Sequence, residues 1–118
     1  MADVRKHRLE AKNYSHDFGP QLAEGDSLTG TPDVTVIQGN TDVTDEFGTP
    51  APSVDGDTVV FTMAAAGSEE QDAGTYTLLI ECDTAGGEHL VGEVLDADGV
   101  TYRRPTLRVY EDGDLGAP

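Results

Sequence analysis

Alternation of apolar and polar residues is the strongest signal in this chain. From Thr75 to Cys82, Tyr76, Leu78, Ile80 and Cys82 fall on one face, while Thr77, Leu79 and Glu81 fall on the other. That period of two predicts a central β-strand. Thr58 to Met63 repeats the pattern, with Val59 and Phe61 on one side and Val60 on the other. The β-branched run Val34, Thr35, Val36 and Ile37 predicts another strand, closed by Gly39 and Asn40. Upstream, Tyr14, His16 and Phe18 alternate until Gly19 and Pro20, which predicts a strand over Lys12 to Phe18.

The segments between these runs are turn chemistry. Gly25 and Asp26 mark a turn before Leu28, and Gly86 and Gly87 predict a hairpin whose returning strand spans His89 to Leu95. Thr41 to Asp57, with Gly48, Pro50, Pro52 and Gly56, reads as one or two short edge strands. Ala64 to Glu70 supports no more than a turn, because Gly67 and the short length work against a helix. Asp96 to Gly99 predicts a further turn, after which Val100 to Tyr102 and Thr106 to Tyr110 complete the fold, with a break at Pro105.

About seven short strands with no helical periodicity predict an all-β, antiparallel two-sheet sandwich. With 118 residues, one core is the expectation. Residues 10–111 are expected to form it, with 1–9 as an N-terminal arm and 112–118 as a C-terminal tail. The arm holds Arg5, Lys6 and Arg8, a large share of the positive charge, and is the candidate interaction segment.

Charge alters this picture in one respect. With 23 acidic and 7 basic side chains the formal net charge is −16. The acids recur from Asp3 to Asp114 between apolar runs, which fits a folded domain with an acidic surface and not a disordered tail. Such a surface repels itself in dilute buffer and is relieved by salt, so a halophilic setting is expected. Direct nucleic-acid binding is not expected, because the arginines form no basic stripe for phosphates.

No apolar stretch approaches the roughly 20 residues that span a bilayer, and no apolar segment follows Arg5, Lys6 and Arg8 as in a secretion signal. Neither membrane residence nor export is expected, and the sequon Asn13-Tyr14-Ser15 reads as part of a strand. The lone Cys82 lies in an apolar pattern and reads as a small buried hydrophobe.

Candidate chemistry is sparse. His7, His16 and His89 show no metal-ligand spacing, and no Gly-x-Ser-x-Gly elbow or phosphate-cradling loop occurs. Asp42, Asp45 and Glu46, or Asp96 and Asp98, offer hard oxygen ligands but lack the calcium-loop pattern. No catalytic residue, metal ligand or cofactor is assigned, and binding without turnover is expected.

Two resemblances add to this reading. Asp72-Ala73-Gly74-Thr75-Tyr76-Thr77-Leu78 resembles the Asp-x-Gly/Ala-x-Tyr-x-Cys stretch of immunoglobulin-like domains. It implies a tyrosine corner built on Asp72, Gly74 and Tyr76, in which the hydroxyl bonds to upstream backbone. Leu78 replaces the antibody cysteine and the chain has no tryptophan, so an antibody-type domain is excluded.

Tyr14-Ser15-His16-Asp17-Phe18, Leu22-Ala23-Glu24-Gly25-Asp26-Ser27-Leu28, Gly74 to Leu78, Ala85 to Glu88 and Val91 to Leu95 resemble segments of small immunoglobulin-like proteins of tailed phages and archaeal tailed viruses. The resemblance spans roughly Glu10 to Leu95, while the loop Thr41 to Asp57 and the strand after Asp96 depart from it. It implies a non-enzymatic virion structural protein, an adaptor at the tail or fibre attachment region or a decoration on the capsid. Its partners would be tail, fibre or capsid subunits and further copies of itself, assembled in the host cytoplasm. The rival expectation is a haloarchaeal surface or interaction domain that binds protein or glycan.

Overall fold

The computed structural model describes residues 4–7, 10–48, 50–64, 74–96 and 98–110. They form an all-β, sandwich-like arrangement of several sheets. One sheet contains β2 (Lys12–Asp17), β6 (Thr58–Met63) and β5 (Ser53–Asp55), paired antiparallel in that order. The other runs β1 (Val4–His7), β11 (Thr106–Tyr110), β7 (Gly74–Thr84), β3 (Leu28–Gln38) and β4 (Thr41–Asp42), with β8 (His89–Val91) also paired to β7. A separate two-stranded hairpin joins β9 (Val94–Leu95) to β10 (Tyr102–Arg103).

The alternation seen in sequence becomes the packing between the sheets. Tyr76, Leu78, Ile80 and Cys82 of β7 face Val59, Phe61 and Met63 of β6, with Val34 and Val36 of β3 and Leu107 and Val109 of β11 completing the layer. Removing each such side chain from water stabilises the fold by roughly 1.5–3 kcal/mol against exposure. Two buried aromatics come from outside the regular strands. Phe18 follows β2, and Phe47 ends a short 3-10 turn over Thr44–Phe47 and meets Tyr76 edge to face at 5.1 Å. Cys82 is buried, with its thiol directed at the Thr29 carbonyl 3.5 Å away, and burial holds its pKa above the ordinary value.

The structure corrects several expectations. The segment assigned to an arm enters the sandwich: β1 pairs with β11, with Arg5 opposite Arg108 and Lys6 opposite Val109. That pairing is parallel, so the sandwich is not wholly antiparallel. Lys6 is fully buried, its ammonium 5.9 Å from the centre of the Phe47 ring and 3.1 Å from the His7 carbonyl oxygen. Burying an ammonium is tolerable where a ring face and carbonyls replace its water. Lys6 is therefore a core residue and not an interaction residue; Arg5 is exposed, and Arg8 lies outside the described residues.

Among the described residues there are eleven strands where about seven were expected, because short edge segments pair as separate strands. Strand β3 begins six residues before Val34 and absorbs Gly30 and Pro32 through a register shift between Thr29 and Asp33. The expected return strand His89 to Leu95 is broken after Val91. Gly92 leaves the ladder, donates to the Ile80 carbonyl at 2.7 Å, and sends the chain out into the β9–β10 hairpin.

Candidate docking hairpin

The root of the hairpin is fixed by a glycine and a glutamine. A β-carbon on Gly92 would stand 3.1 Å from the His16 ring and 3.3 Å from the Ile80 Cβ, so only glycine passes here without a shift. Gln21 clamps both sides: its amide donates to the Val91 carbonyl at 2.7 Å, and its oxygen accepts from the Glu93 amide at 3.0 Å. His16 Nε2 lies 3.2 Å from that same oxygen, and the His16 ring packs edge to face on Phe18 at 4.7 Å. His16 is thus a structural histidine beneath the hairpin.

The tip is held by one carboxylate. Asp98 Oδ2 accepts from the Thr101 hydroxyl at 2.6 Å, and Oδ1 accepts from the amides of Val100 and Thr101, both at 2.8 Å. The Thr101 hydroxyl, followed by those amides, pulls the Asp98 pKa down to about 2. Asp96 donates its amide to the Thr101 carbonyl at 2.7 Å, while its side chain meets Arg103 Nε at 3.4 Å.

A carboxyl with a lowered folded pKa supports the turn fully above its unfolded range and loses that support as pH falls through the folded value. Exchange protection of the Val100 and Thr101 amides is therefore expected to hold at neutral pH and to fall as pH drops from the ordinary aspartate range towards about 2. Protection that stays flat across that window in a hydrogen-exchange titration would remove Asp98 as the organiser of the tip.

This braced hairpin carries the large exposed hydrophobics found among the described residues. Leu95 is 51 % exposed, Val100 78 % and Tyr102 62 %. Tyr102 sits directly opposite Leu95 in the ladder, so both side chains share one face. At the base, Tyr102, Leu90 and Pro20 border a cleft of about 310 Å³ whose rim holds Asp17, Gln21 and Glu93. A second depression of about 530 Å³ lies against β2, β5 and β6, lined by hydroxyl and amide side chains with Tyr14, Val60 and Phe61.

The residues singled out in sequence are placed differently. Tyr76 is fully buried at the centre of the core and Gly74 begins β7, while Asp72 lies outside the described residues. The acidic clusters serve their own turns: Asp42 accepts from the Thr44 amide and hydroxyl at 3.0 and 2.6 Å, and Asp98 is spent on the hairpin tip. Among the described residues no group of three His, Cys, Asp or Glu side chains is arranged to hold a metal ion. His89 contacts Asp83 at 2.6 Å and Glu81 at 3.1 Å, and those two acceptors raise its pKa. Among the described residues no helix is long and apolar enough to cross a membrane.

Sequence reasoning treated Leu95 and Tyr102 as ordinary strand residues. The signal that separates them from core positions is Gly92, a glycine inside an apolar run, which marks a close approach and a change of direction. No protein-family model matches the chain, and no curated protein matches it.

Proposed function

We propose that this chain is a binding module of a tailed-virus particle adapted to high salt, docking on a tail, fibre or capsid subunit through its β9–β10 hairpin. The observation that carries the docking role is the exposed trio Leu95, Val100 and Tyr102 on a hairpin whose root and tip are both braced. Apolar side chains gathered on a fixed protrusion are what a partner buries, and pre-organisation lowers the entropy lost on docking. Glu93, Asp17 and Asp98 around the trio favour a receiving surface with an apolar groove and basic rim. The virion setting rests on the resemblance of Tyr14 to Leu28 and Gly74 to Leu95 to small tailed-virus proteins, and the salt setting on the net charge of −16.

Mass spectrometry of particles purified from the producing host tests both parts. Wild-type chain is expected in the particles, and a Leu95→Ser, Tyr102→Ser variant with an unchanged circular dichroism spectrum is expected to fall at least about tenfold in occupancy, given the weight of central aromatic anchors. Equal incorporation of the variant overturns the hairpin as the docking element. A chain found in the cell-surface fraction and absent from particles overturns the virion setting in favour of a surface interaction domain.

A further inference from the structure

The short strand from which the docking hairpin departs is fastened to β7 by a histidine. His89, the first residue of β8, stands opposite Asp83 in the ladder, and Glu81 lies two residues back along β7, opposite Val91. Leu78, Ile80 and Cys82 of β7 point into the core, so Glu81 and Asp83 project from the outer face of the sheet. The His89 ring meets both: Nδ1 is 2.6 Å from Asp83 Oδ1, and Nε2 is 3.1 Å from Glu81 Oε1. An ionised carboxylate only accepts hydrogen bonds, and a neutral imidazole has a single N–H to donate. The two contacts are satisfied together only by the imidazolium, which donates from both nitrogens. The geometry of the ring therefore requires a cation at this position.

Three further carboxylates belong to the same end of the sheet. Asp33 of β3 stands opposite Glu81, Glu88 precedes His89 in the chain, and Asp26 holds the turn through the Gly86 amide at 2.9 Å. Like charges directly opposite on neighbouring strands repel, so Asp33 and Glu81 are held side by side at lower cost while an imidazolium lies against Glu81. Strand β8 pairs through only three residues. Its end is secured by Gln21, which donates to the Val91 carbonyl at 2.7 Å, and by Gly92, which donates to the Ile80 carbonyl at 2.7 Å. Its start is secured by His89.

We infer that His89 is a pH-operated latch, which fastens β8 and the root of the docking hairpin to β7 when protonated and loosens them when neutral. The proton leaves for solvent from Nε2, the longer contact, while Nδ1–H stays on Asp83. The Nε2 lone pair then faces the Glu81 carboxylate, Asp33 and Glu81 stand opposite each other with no cation against them, and β8 opens more often. Asp83 first and Glu81 second hold the His89 pKa above its ordinary value. With the folded value raised, the support is complete below the unfolded value of about 6.5 and is lost as pH rises through the folded one. In about 1 M salt the latch persists, because its contacts are comparable with the screening length of roughly 3 Å.

The latch rests on the hairpin being the docking element, yet its test uses the chain alone and needs no partner. In molar KCl, NMR of the imidazole nitrogens is expected to show both His89 nitrogens protonated at about pH 6 and a midpoint above the ordinary 6.5 or so. Thr84 donates to the Glu88 carbonyl at 2.8 Å and Gly92 to the Ile80 carbonyl, so these two amides flank the latch and report its opening. Their exchange protection, corrected for the intrinsic rate, is expected to fall by about threefold or more from about pH 6 to about pH 9, while that of Thr35, paired with Leu79 in mid-sheet, stays level. In His89→Gln the protection of Thr84 and Gly92 is expected to lose this pH dependence. Glu81→Gln and Asp83→Asn are each expected to lower the His89 midpoint, which a merely structural contact would not move. A midpoint at the ordinary histidine value, or protection of Thr84 and Gly92 that is level with pH in the wild type, overturns the latch and leaves the exposed trio to dock. Normal incorporation of the Leu95→Ser, Tyr102→Ser variant removes the docking reading and leaves the titration of His89 standing.

Discussion

Replacing Tyr76 with alanine is expected to destabilise the protein by about 3–5 kcal/mol, the range for losing a large aromatic side chain from a packed core. Tyr76 is fully buried, stands opposite Leu107 in the ladder, and holds Phe47 edge to face at 5.1 Å with the interplanar angle near perpendicular at 83°. Phe47 in turn lies beneath the Lys6 ammonium, so removing Tyr76 opens space under a buried charge as well as a hydrophobic contact. A domain of this size has about 5–15 kcal/mol in all, so the variant is expected to unfold at much lower urea concentration with an unchanged slope. The Tyr76→Phe variant keeps the ring and tests the corner. A hydroxyl bonded to upstream backbone predicts a further loss of about 1 kcal/mol. Stability equal to wild type in Tyr76→Phe removes the corner, and stability within a few tenths of wild type in Tyr76→Ala removes the packing argument altogether.

The parts of this fold legible in sequence are those whose burial is decided by strand period alone. β6 is bounded in the structure as its run Thr58 to Met63 predicts, and β7 places Tyr76, Leu78, Ile80 and Cys82 inward as their alternation requires. β1 was illegible because Val-Arg-Lys-His has no apolar alternation. Its burial is conferred by β11, about a hundred residues away, and by a ring that receives the lysine. Phe47 escaped notice for a related reason, since a 3-10 turn has no two-residue period and its inward direction depends on where Tyr76 stands. The β9–β10 hairpin departs from its local pattern in the opposite sense. Leu95, Val100 and Tyr102 satisfy every local rule for core strand residues, and only the exit of the chain at Gly92 leaves them in solvent. Local pattern thus reports which residues can be buried, whereas topology decides which are.

The proposed high-salt setting makes the second large prediction: transfer from dilute buffer to molar KCl is expected to raise the melting temperature by on the order of 10 °C, equivalent to about 2–3 kcal/mol for a domain of this size. At about 0.01 M salt the screening length is about 30 Å, comparable with the molecular dimensions of 47 × 33 × 24 Å, so every carboxylate feels nearly every other. Asp17, Glu24, Asp33, Asp55, Asp57, Glu88 and Glu93 all stand exposed, and the scarce cations offset few of them. Lys6 is buried, and Arg103 is turned to Asp96 within its own hairpin. Unfolding separates the carboxylates and relieves their repulsion, so dilute buffer favours the unfolded chain. Molar salt cuts the screening length to about 3 Å and removes that advantage. Sucrose separates this cause from a general strengthening of apolar burial, because it is excluded from protein surface yet screens no charge. Asp55→Asn with Asp57→Asn, at an exposed turn, is expected to raise stability in dilute buffer and to shrink the increment from salt. A melting temperature indifferent to KCl, or one raised equally by sucrose, would mean that the acidic surface does not govern stability and would withdraw the support it lends to a saline habitat.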